Sequence, residues 1–351
     1  MSSYIEIAKE KLEKLRNKED IIILGIESSC DDTAIGIIKG KTILANQISS
    51  QILIHKEFGG VVPEIASRNH IKNIDVVLKL ALEEAKLSIN DIDVIAVTYG
   101  AGLQGSLLVG VAFAKALAYA NELPLIPINH IRGHVCANFL GNENLSFPFL
   151  CLLASGGHTE ILKVNSYSNM EILGQTRDDA AGEAFDKVAR ILGYNYPGGP
   201  EIEKYAKLGT PCIEFSKPLK NEETLDFSYS GLKTSIINYV HKYEQNKQEY
   251  NKFDVAASFQ KLAVDMLIEN AIKAAKQYKF NSICIAGGVA ANTMLRERCI
   301  EECNKNNITP FIPPKVLCTD NGLMIAIAAY MAIKEGIECA DLTLDVVSNL
   351  E

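Results

Sequence analysis

Apolar positions along this chain follow two rhythms, short unbroken runs and longer stretches with helical spacing. "IIILGIESS" (21–29) is a short apolar run closing on small polar residues, which predicts a buried strand entering a turn. "TAIGII" (33–38) alternates and reads as its hairpin partner. Ile65, Ile71, Ile74, Val77, Leu78, Ala81, Leu82 and Ala85 recur at helical spacing and predict a helix over 64–88. "DVIAVTYG" (93–100) is another buried strand, and 100–120 is a Gly-rich loop opening an apolar helix. "LPLIPINH" (123–130) is a strand that delivers a histidine at its end.

The pattern then restarts. "FPFLCLLASGGHTEILKV" (147–164) has the shape of "DIIILGIESSCDDTAIGII" (20–38): an apolar strand, a small-residue turn, a Thr and a second apolar strand. Helices are predicted near 179–193, 200–207, 231–242 and 252–278. "SICIAGGVAANTMLRERC" (282–299) reads as strand, Gly-Gly turn and helix, "ITPFIPP" (308–314) as a short strand, and 319–336 as a closing helix. Two hairpin starts, each followed by α/β units, predict an α/β fold built by internal duplication, with a cleft between the halves. The expected division is an N-terminal extension over 1–20, a first domain from 21–130 plus 316–345, and a second over 131–315.

Composition narrows the function classes. The 351 residues are 48% hydrophobic and 22% charged, an ordinary balance for a globular protein. A net charge of -8 argues against a broad basic surface, so any nucleic acid must be held locally or through a partner. Nine cysteines without a signal peptide fit a reducing cytoplasm, and no C-x-x-C pair occurs. Cys299 and Cys303 share a predicted helix face, with nothing nearby in sequence to complete a zinc site. No apolar run approaches the roughly 18–20 residues that span a bilayer. The first twenty residues are charged and helix-prone, which suggests a surface helix or arm rather than a targeting segment.

Candidate chemistry sits in the turns. "ESSCDDT" (27–33) could offer hydroxyls and N–H groups to a phosphate, or be a polar hairpin turn. In "ASGGHT" (154–159), Gly156 and Gly157 remove Cβ bulk and let backbone approach a ligand. "AGGVAAN" (286–292) places two glycines between strand and helix, where phosphate or adenosine often rests. Close helix–strand packing accounts for it as well. Asn292 there can both donate and accept hydrogen bonds. In "DDAAGEAFDK", Asp178, Asp179, Glu183 and Asp186 could form one acidic helix face, the first two also serving a helix end. "PGGP" (197–200) opens another helix, with Glu203 one turn inside, suited to ribose hydroxyls or to plain solvation.

Two of the six histidines, His130 and His134, stand in "NHIRGH", an H-x-x-x-H spacing that points both rings one way on a helix. The zinc-protease motif needs Glu after the first His, and Ile131 stands there. A carboxylate from elsewhere would complete a two-His, one-carboxylate set with open positions, suited to iron or zinc. Asp320 in "CTDNG" is the best candidate, unless it merely caps the last helix.

Taken together, "GIESSCDDTAIGI", "FGGVVPEIASRNH", "GLQGSLLVG", "NHIRGH", "LLASGGHTEI", "DDAAGEAFDKVARILGYNYPGGP", "DFSYSGLKT", "AASFQ", "AGGVAAN" and "CTDN" resemble, in collinear order over 21–335, the bacterial TsaD family. These are the tRNA threonylcarbamoyladenosine biosynthesis transferases, formerly labelled O-sialoglycoprotein endopeptidases. The family usually has Pro where Ala101 stands and a small residue where Gly322 stands.

The resemblance implies an actin-like, sugar-kinase/Hsp70 (ASKHA) fold of two related α/β domains around a nucleotide cleft. It implies transfer of a threonylcarbamoyl group from threonylcarbamoyl-adenylate to the N6 amine of the adenosine beside the anticodon, in tRNAs reading codons that begin with A. It further implies one divalent metal, Fe²⁺ or Zn²⁺, on His130, His134 and Asp320. Leu153, Ala154, Ser155, Gly156 and Gly157 would form the substrate-binding turn, with Asp186, Gly199, Glu203 and Asn292 holding the adenylate. The implied partners are a homologous TsaB-like subunit and a TsaE-like P-loop ATPase.

No catalytic nucleophile or general base stands out among the residues. Three rivals remain: a Mg²⁺-dependent kinase on the same fold, which would not need the His pair; a non-catalytic scaffold, which would not need intact motifs; and a glycoprotease, which would need a different metal motif.

Overall fold

The computed structural model describes residues 3–350. These form two compact units, one comprising residues up to Leu145 and from Thr319 onward, the other Ser146–Cys318.

The first unit opens with helix α1 (Tyr4–Leu15), then a meander of β1 (Ile22–Glu27), β2 (Asp32–Lys39) and β3 (Thr42–Ser50). Helices α2 (Ile52–Lys56) and α3 (Pro63–Ala85) lead to β4 (Val94–Gly100), α4 (Gln104–Ala120) and β5 (Leu125–Asn129). Short helices α5 (His130–Cys136) and α6 (Asn138–Gly141) follow. The sheet order is β3-β2-β1-β4-β5, antiparallel through the meander and parallel from β1 to β4 to β5. Strand β1 is central, so Ile23, Leu24 and Ile26 are buried on both faces, which explains its unbroken apolar run. Helices α3 and α4 pack on the sheet, and the last helix of the chain also lies against β1 and β2.

The second unit repeats this plan. Strands β6 (Phe149–Ala154), β7 (Thr159–Val164) and β8 (Met170–Gln175) form its meander. Helices α7 (Ala181–Ile191), α8 (Gly198–Ala206), α9 (Ser230–Gln245) and α10 (Lys252–Tyr278) follow, then β9 (Ser282–Ala286), α11 (Thr293–Lys305) and β10 (Thr309–Phe311). The order β10-β9-β6-β7-β8 is that of the first unit, strand for strand, with the same parallel and antiparallel pairings. The predicted α/β duplication is therefore present. Helix α12 (Gly322–Lys334) then returns to the first unit.

The structure departs from the sequence reading in several places. Strands β3 and β8 had no counterpart there; both lie at sheet edges, with polar, partly exposed positions that blur the alternation. Within "AGGVAAN" (286–292) a short 3-10 turn spans Gly288–Ala291, and α11 begins only at Thr293. The expected domain border at 130/131 lies instead after Leu145, because α5 packs against α12 and belongs to the first unit. The return to that unit comes after Cys318. Helix α1 is not a free arm: Ala8 and Leu12 are buried, and the Tyr4 hydroxyl donates to the Leu123 carbonyl at 2.8 Å. None of the nine cysteines is joined in a disulfide. No helix of the described residues is long and apolar enough to cross a membrane.

Candidate functional site

In the first unit, the carboxyl ends of the parallel strands β1, β4 and β5 point the same way, and such ends are where open α/β sheets place ligands. Strand β5 ends at Asn129, whose side-chain oxygen accepts from the Ile131 and Arg132 N–H groups at 2.8 and 3.2 Å, starting α5 at once. His130 and His134 therefore share one face, with ring centroids 4.6 Å apart and planes at 83°. Asp320 arrives from the residues before α12. The cap of that helix is Asn321, whose oxygen accepts from the Met324 N–H at 2.9 Å, so Asp320 is not engaged as a cap.

Asp320 Oδ1 lies 3.2 Å from His134 Nε2 and 3.6 Å from His130 Nε2. The three candidate ligand atoms all fall within 4.8 Å of one another, the one such group of His, Cys, Asp or Glu among the described residues. His134 is buried, whereas the Asp320 side chain keeps 23% of its surface accessible, so the centre is not sealed.

Charge balances charge here. Burial disfavours the His130 imidazolium, but the Asp320 and Glu27 carboxylates outweigh it and push the ring up to about 9. Burial likewise opposes ionisation of Asp320, yet the two imidazoles hold it at about 2. Burial, reinforced by the charges on Asp320, Asp31 and Glu27, pushes nearby Asp32 up to about 7. The donor set, two imidazole Nε2 atoms and one carboxylate oxygen, fits a divalent ion of the zinc or iron type.

The "ESSCDDT" turn is bound up internally. The Ser28 hydroxyl donates to the Ser106 carbonyl at 3.0 Å, and Thr33 Oγ1 meets His70 Nδ1 at 2.8 Å. A phosphate cradle there would have to do without these two hydroxyls.

In the second unit, the "ASGGHT" turn links β6 to β7. The Ser155 N–H donates to the His158 carbonyl at 2.8 Å, and the Gly182 N–H at the start of α7 donates to the Ser155 carbonyl at 3.0 Å. A Cβ at Gly156, Gly157 or Gly199 would meet nothing within 4 Å, so these three backbones border open space. Leu153 and Ala154 lie buried in β6. Asp186 accepts from the Gly198 N–H at 2.6 Å and ties α7 to the start of α8; burial nevertheless raises its carboxyl above the ordinary range.

Glu203 bonds to Thr293, and although burial opposes its charge, Thr293 and Lys207 hold it below the ordinary range. Asn292 caps α11 by accepting from the Leu295 N–H at 3.1 Å and donates to Gln260 at 2.9 Å. Its hydrogen-bonding capacity is thus largely committed within the protein. These residues gather where β6 and β9 end and α7, α8 and α11 begin.

The acidic face expected along "DDAAGEAFDK" does not form. Helix α7 begins only at Ala181. Asp178 precedes it and accepts from Ser228 Oγ, the Tyr229 N–H, and the Ser230 N–H and hydroxyl, at 2.5–3.1 Å, capping α9. Asp179 pairs with Lys187 and Lys233, and Glu183 with Lys187.

A family model described as TsaD, tRNA N6-adenosine threonylcarbamoyltransferase, matches residues 42–327. The chain belongs to this family. A tRNA N6-adenosine threonylcarbamoyltransferase of Clostridium botulinum (strain 657) is 52% identical over 336 residues, 95% of this chain and 98% of that protein. One of Clostridium perfringens (strain 13) is 53% identical over 331 residues, 94% and 97% of the two chains. Among solved structures, the (R)-2-hydroxyglutaryl-CoA dehydratase component A of Acidaminococcus fermentans superposes with a TM-score of 0.53 at 16% identity, covering 89% of this chain and 99% of that one. HypF of T. kodakarensis gives 0.59 at 14% identity, covering 90% and 48%. At such identities the likeness shows the fold alone, the duplicated ASKHA-type architecture that the strand orders display. One pairing in this TsaD-family chain escaped the sequence reading: Glu27, read there only as part of the "ESSCDDT" turn, meets His130 with its carboxylate. No local signal links positions 103 residues apart.

Proposed function

We propose that this chain transfers the threonylcarbamoyl group from threonylcarbamoyl-adenylate to the N6 amine of the adenosine beside the anticodon, in tRNAs reading codons that begin with A, releasing AMP. Its membership of the TsaD family makes it a tRNA-modifying acyltransferase. The observation that carries the metal-dependent form of this reading is the convergence of His130, His134 and Asp320. A divalent ion there, Fe²⁺ or Zn²⁺, would supply Lewis-acid polarisation of a substrate oxygen and a fixed point for orientation.

The residues have modest demands to meet. The carbonyl of a mixed carbamic–phosphoric anhydride is already activated, and AMP is a good leaving group. Attack by the amine forms the new C–N bond, the C–O bond to phosphate breaks with its electron pair going to AMP, and the proton lost from the amine nitrogen passes to solvent. Alignment of the reactants can contribute roughly 7–11 kcal/mol. We assign the adenylate to Leu153, Ala154, Ser155, Gly156, Gly157, Asp186, Gly199, Glu203 and Asn292. The bare backbone at Gly156, Gly157 and Gly199 supports this assignment, as do the helix starts beside them. Glu203 offers a charged acceptor for ribose hydroxyls. A TsaB-like subunit and a TsaE-like ATPase complete the expected assembly.

The double variant His130→Ala/His134→Ala tests the reading. It is expected to lose bound metal and tRNA modification while its melting curve in chelator stays that of the metal-free parent. If Mg²⁺ alone supported full turnover of ATP by that variant, the kinase rival would stand instead.

A further inference from the structure

Glu27 ends β1 with its side chain fully buried. A carboxylate in such a place is costly unless its lone pairs are met. Here the Ser29 N–H donates to Oε1 at 2.5 Å, and the Thr98 hydroxyl donates to Oε2 at 2.6 Å. His130 Nδ1 lies 3.2 Å from the same Oε2, with Ser29 Oγ 3.1 Å from that ring nitrogen. The two donors from Ser29 and Thr98 fix the carboxylate on the sheet, and its remaining capacity faces the ring. His134 is built differently: its Nδ1 is buried with no hydrogen-bond partner. Only one of the two imidazoles therefore has a carboxylate behind it.

We propose that Glu27 is the positioning residue of the candidate metal centre: it takes the Nδ1–H of His130, fixes that tautomer, and so leaves the Nε2 lone pair free for a divalent ion that His130, His134 and Asp320 would hold. The inference rests on the metal-dependent reading above. Carboxylates that hold the outer nitrogen of a ligating imidazole orient the ring and strengthen it as a ligand, and losing one typically weakens metal binding 10- to 100-fold. A merely structural Glu27 would leave metal affinity alone: in Glu27→Gln the Ser29 N–H can still meet the amide oxygen, and the Thr98 hydroxyl can turn to accept from the amide nitrogen.

The test uses the full-length chain stripped of metal and titrated with Co²⁺, whose visible absorption reports its ligands. Glu27→Gln is expected to bind Co²⁺ roughly 10- to 100-fold more weakly with an altered visible band. Glu27→Asp, which keeps the charge, is expected to recover part of the loss. Thr98→Val loosens the carboxylate without removing it and is expected to shift affinity the same way, by less; it carries the test should Glu27→Gln not fold. An unchanged affinity and spectrum in Glu27→Gln and Thr98→Val overturns the positioning role while leaving the metal reading intact. A parent chain that binds Co²⁺ no better than His130→Ala/His134→Ala overturns both.

Discussion

His134 is buried with an unpartnered ring nitrogen, and a buried polar atom in that state costs roughly 1–3 kcal/mol. Such costs concentrate where function needs the group. Metal should repay this one: an ion bound only by the folded state stabilises it by about 4 kcal/mol at a thousand times its dissociation constant. Stripping metal is therefore expected to lower the melting temperature of the parent and leave that of His130→Ala/His134→Ala unmoved, as read by calorimetry.

Asp178 makes the opposite case, an acid fully engaged in structure. Partial burial opposes its charge, but the Ser228 and Ser230 hydroxyls and the Tyr229 and Ser230 N–H groups hold it at about 2. Its folded pKa lies below the unfolded value of about 3.9, so its contribution is complete above pH 4 and is lost as pH falls through about 2. Asp178→Asn should flatten the acid limb of the unfolding profile, and Asp178→Ala should cost about 1 kcal/mol as a lost helix cap. An acid profile identical to the parent's would remove Asp178 from that role.

Helix α12 carries Asp320 to the histidines because three glycines let it lie on the sheet. A Cβ on Gly322 would come 1.9 Å from the Gly36 nitrogen, and one on Gly25 would come 2.3 Å from the Gly322 carbonyl oxygen. Gly322→Ala is expected to destabilise by about 1–3 kcal/mol, as overpacking does, and to weaken metal binding by shifting Asp320. Gly199→Ala adds its methyl to open space in the first turn of α8, so stability should hold within about 0.5 kcal/mol. If Gly199 borders the adenylate, the KM for that substrate should still rise; equal KM values in parent and variant would take Gly199 out of the binding residues.

Much at this scale was legible from sequence. The buried strands and long helices announced themselves through apolar runs and helical spacing, and the repeated hairpin start revealed the duplication. His130 and His134 were legible because helical spacing is local, and Asp320 because the motif resemblance supplied a reach that spacing lacks. Glu27 was not legible as a partner of His130, since only the parallel packing of β1, β4 and β5 brings them together. Asp178 and Asp179 fell out of the expected acidic face for the same reason: Ser228, Ser230 and Lys233, some fifty residues on, claim them.

At the level of the whole molecule, a net charge of -8 sets the terms for meeting a polyanion. The chain alone is expected to bind tRNA weakly and to gain affinity when partner subunits are added. Tight, strongly salt-dependent tRNA binding by the isolated chain would show instead that local basic groups suffice. The central claim joins the family's chemistry to the His130–His134–Asp320 centre. Its most direct test combines purified chain, synthetic threonylcarbamoyl-adenylate, partner proteins and unmodified tRNA, with bound metal and modified nucleoside measured in the same samples. The account predicts modification by the parent, loss on metal stripping with recovery on adding Fe²⁺ or Zn²⁺, and neither metal nor product with His130→Ala/His134→Ala. Full modification by that double variant with no metal bound would contradict it.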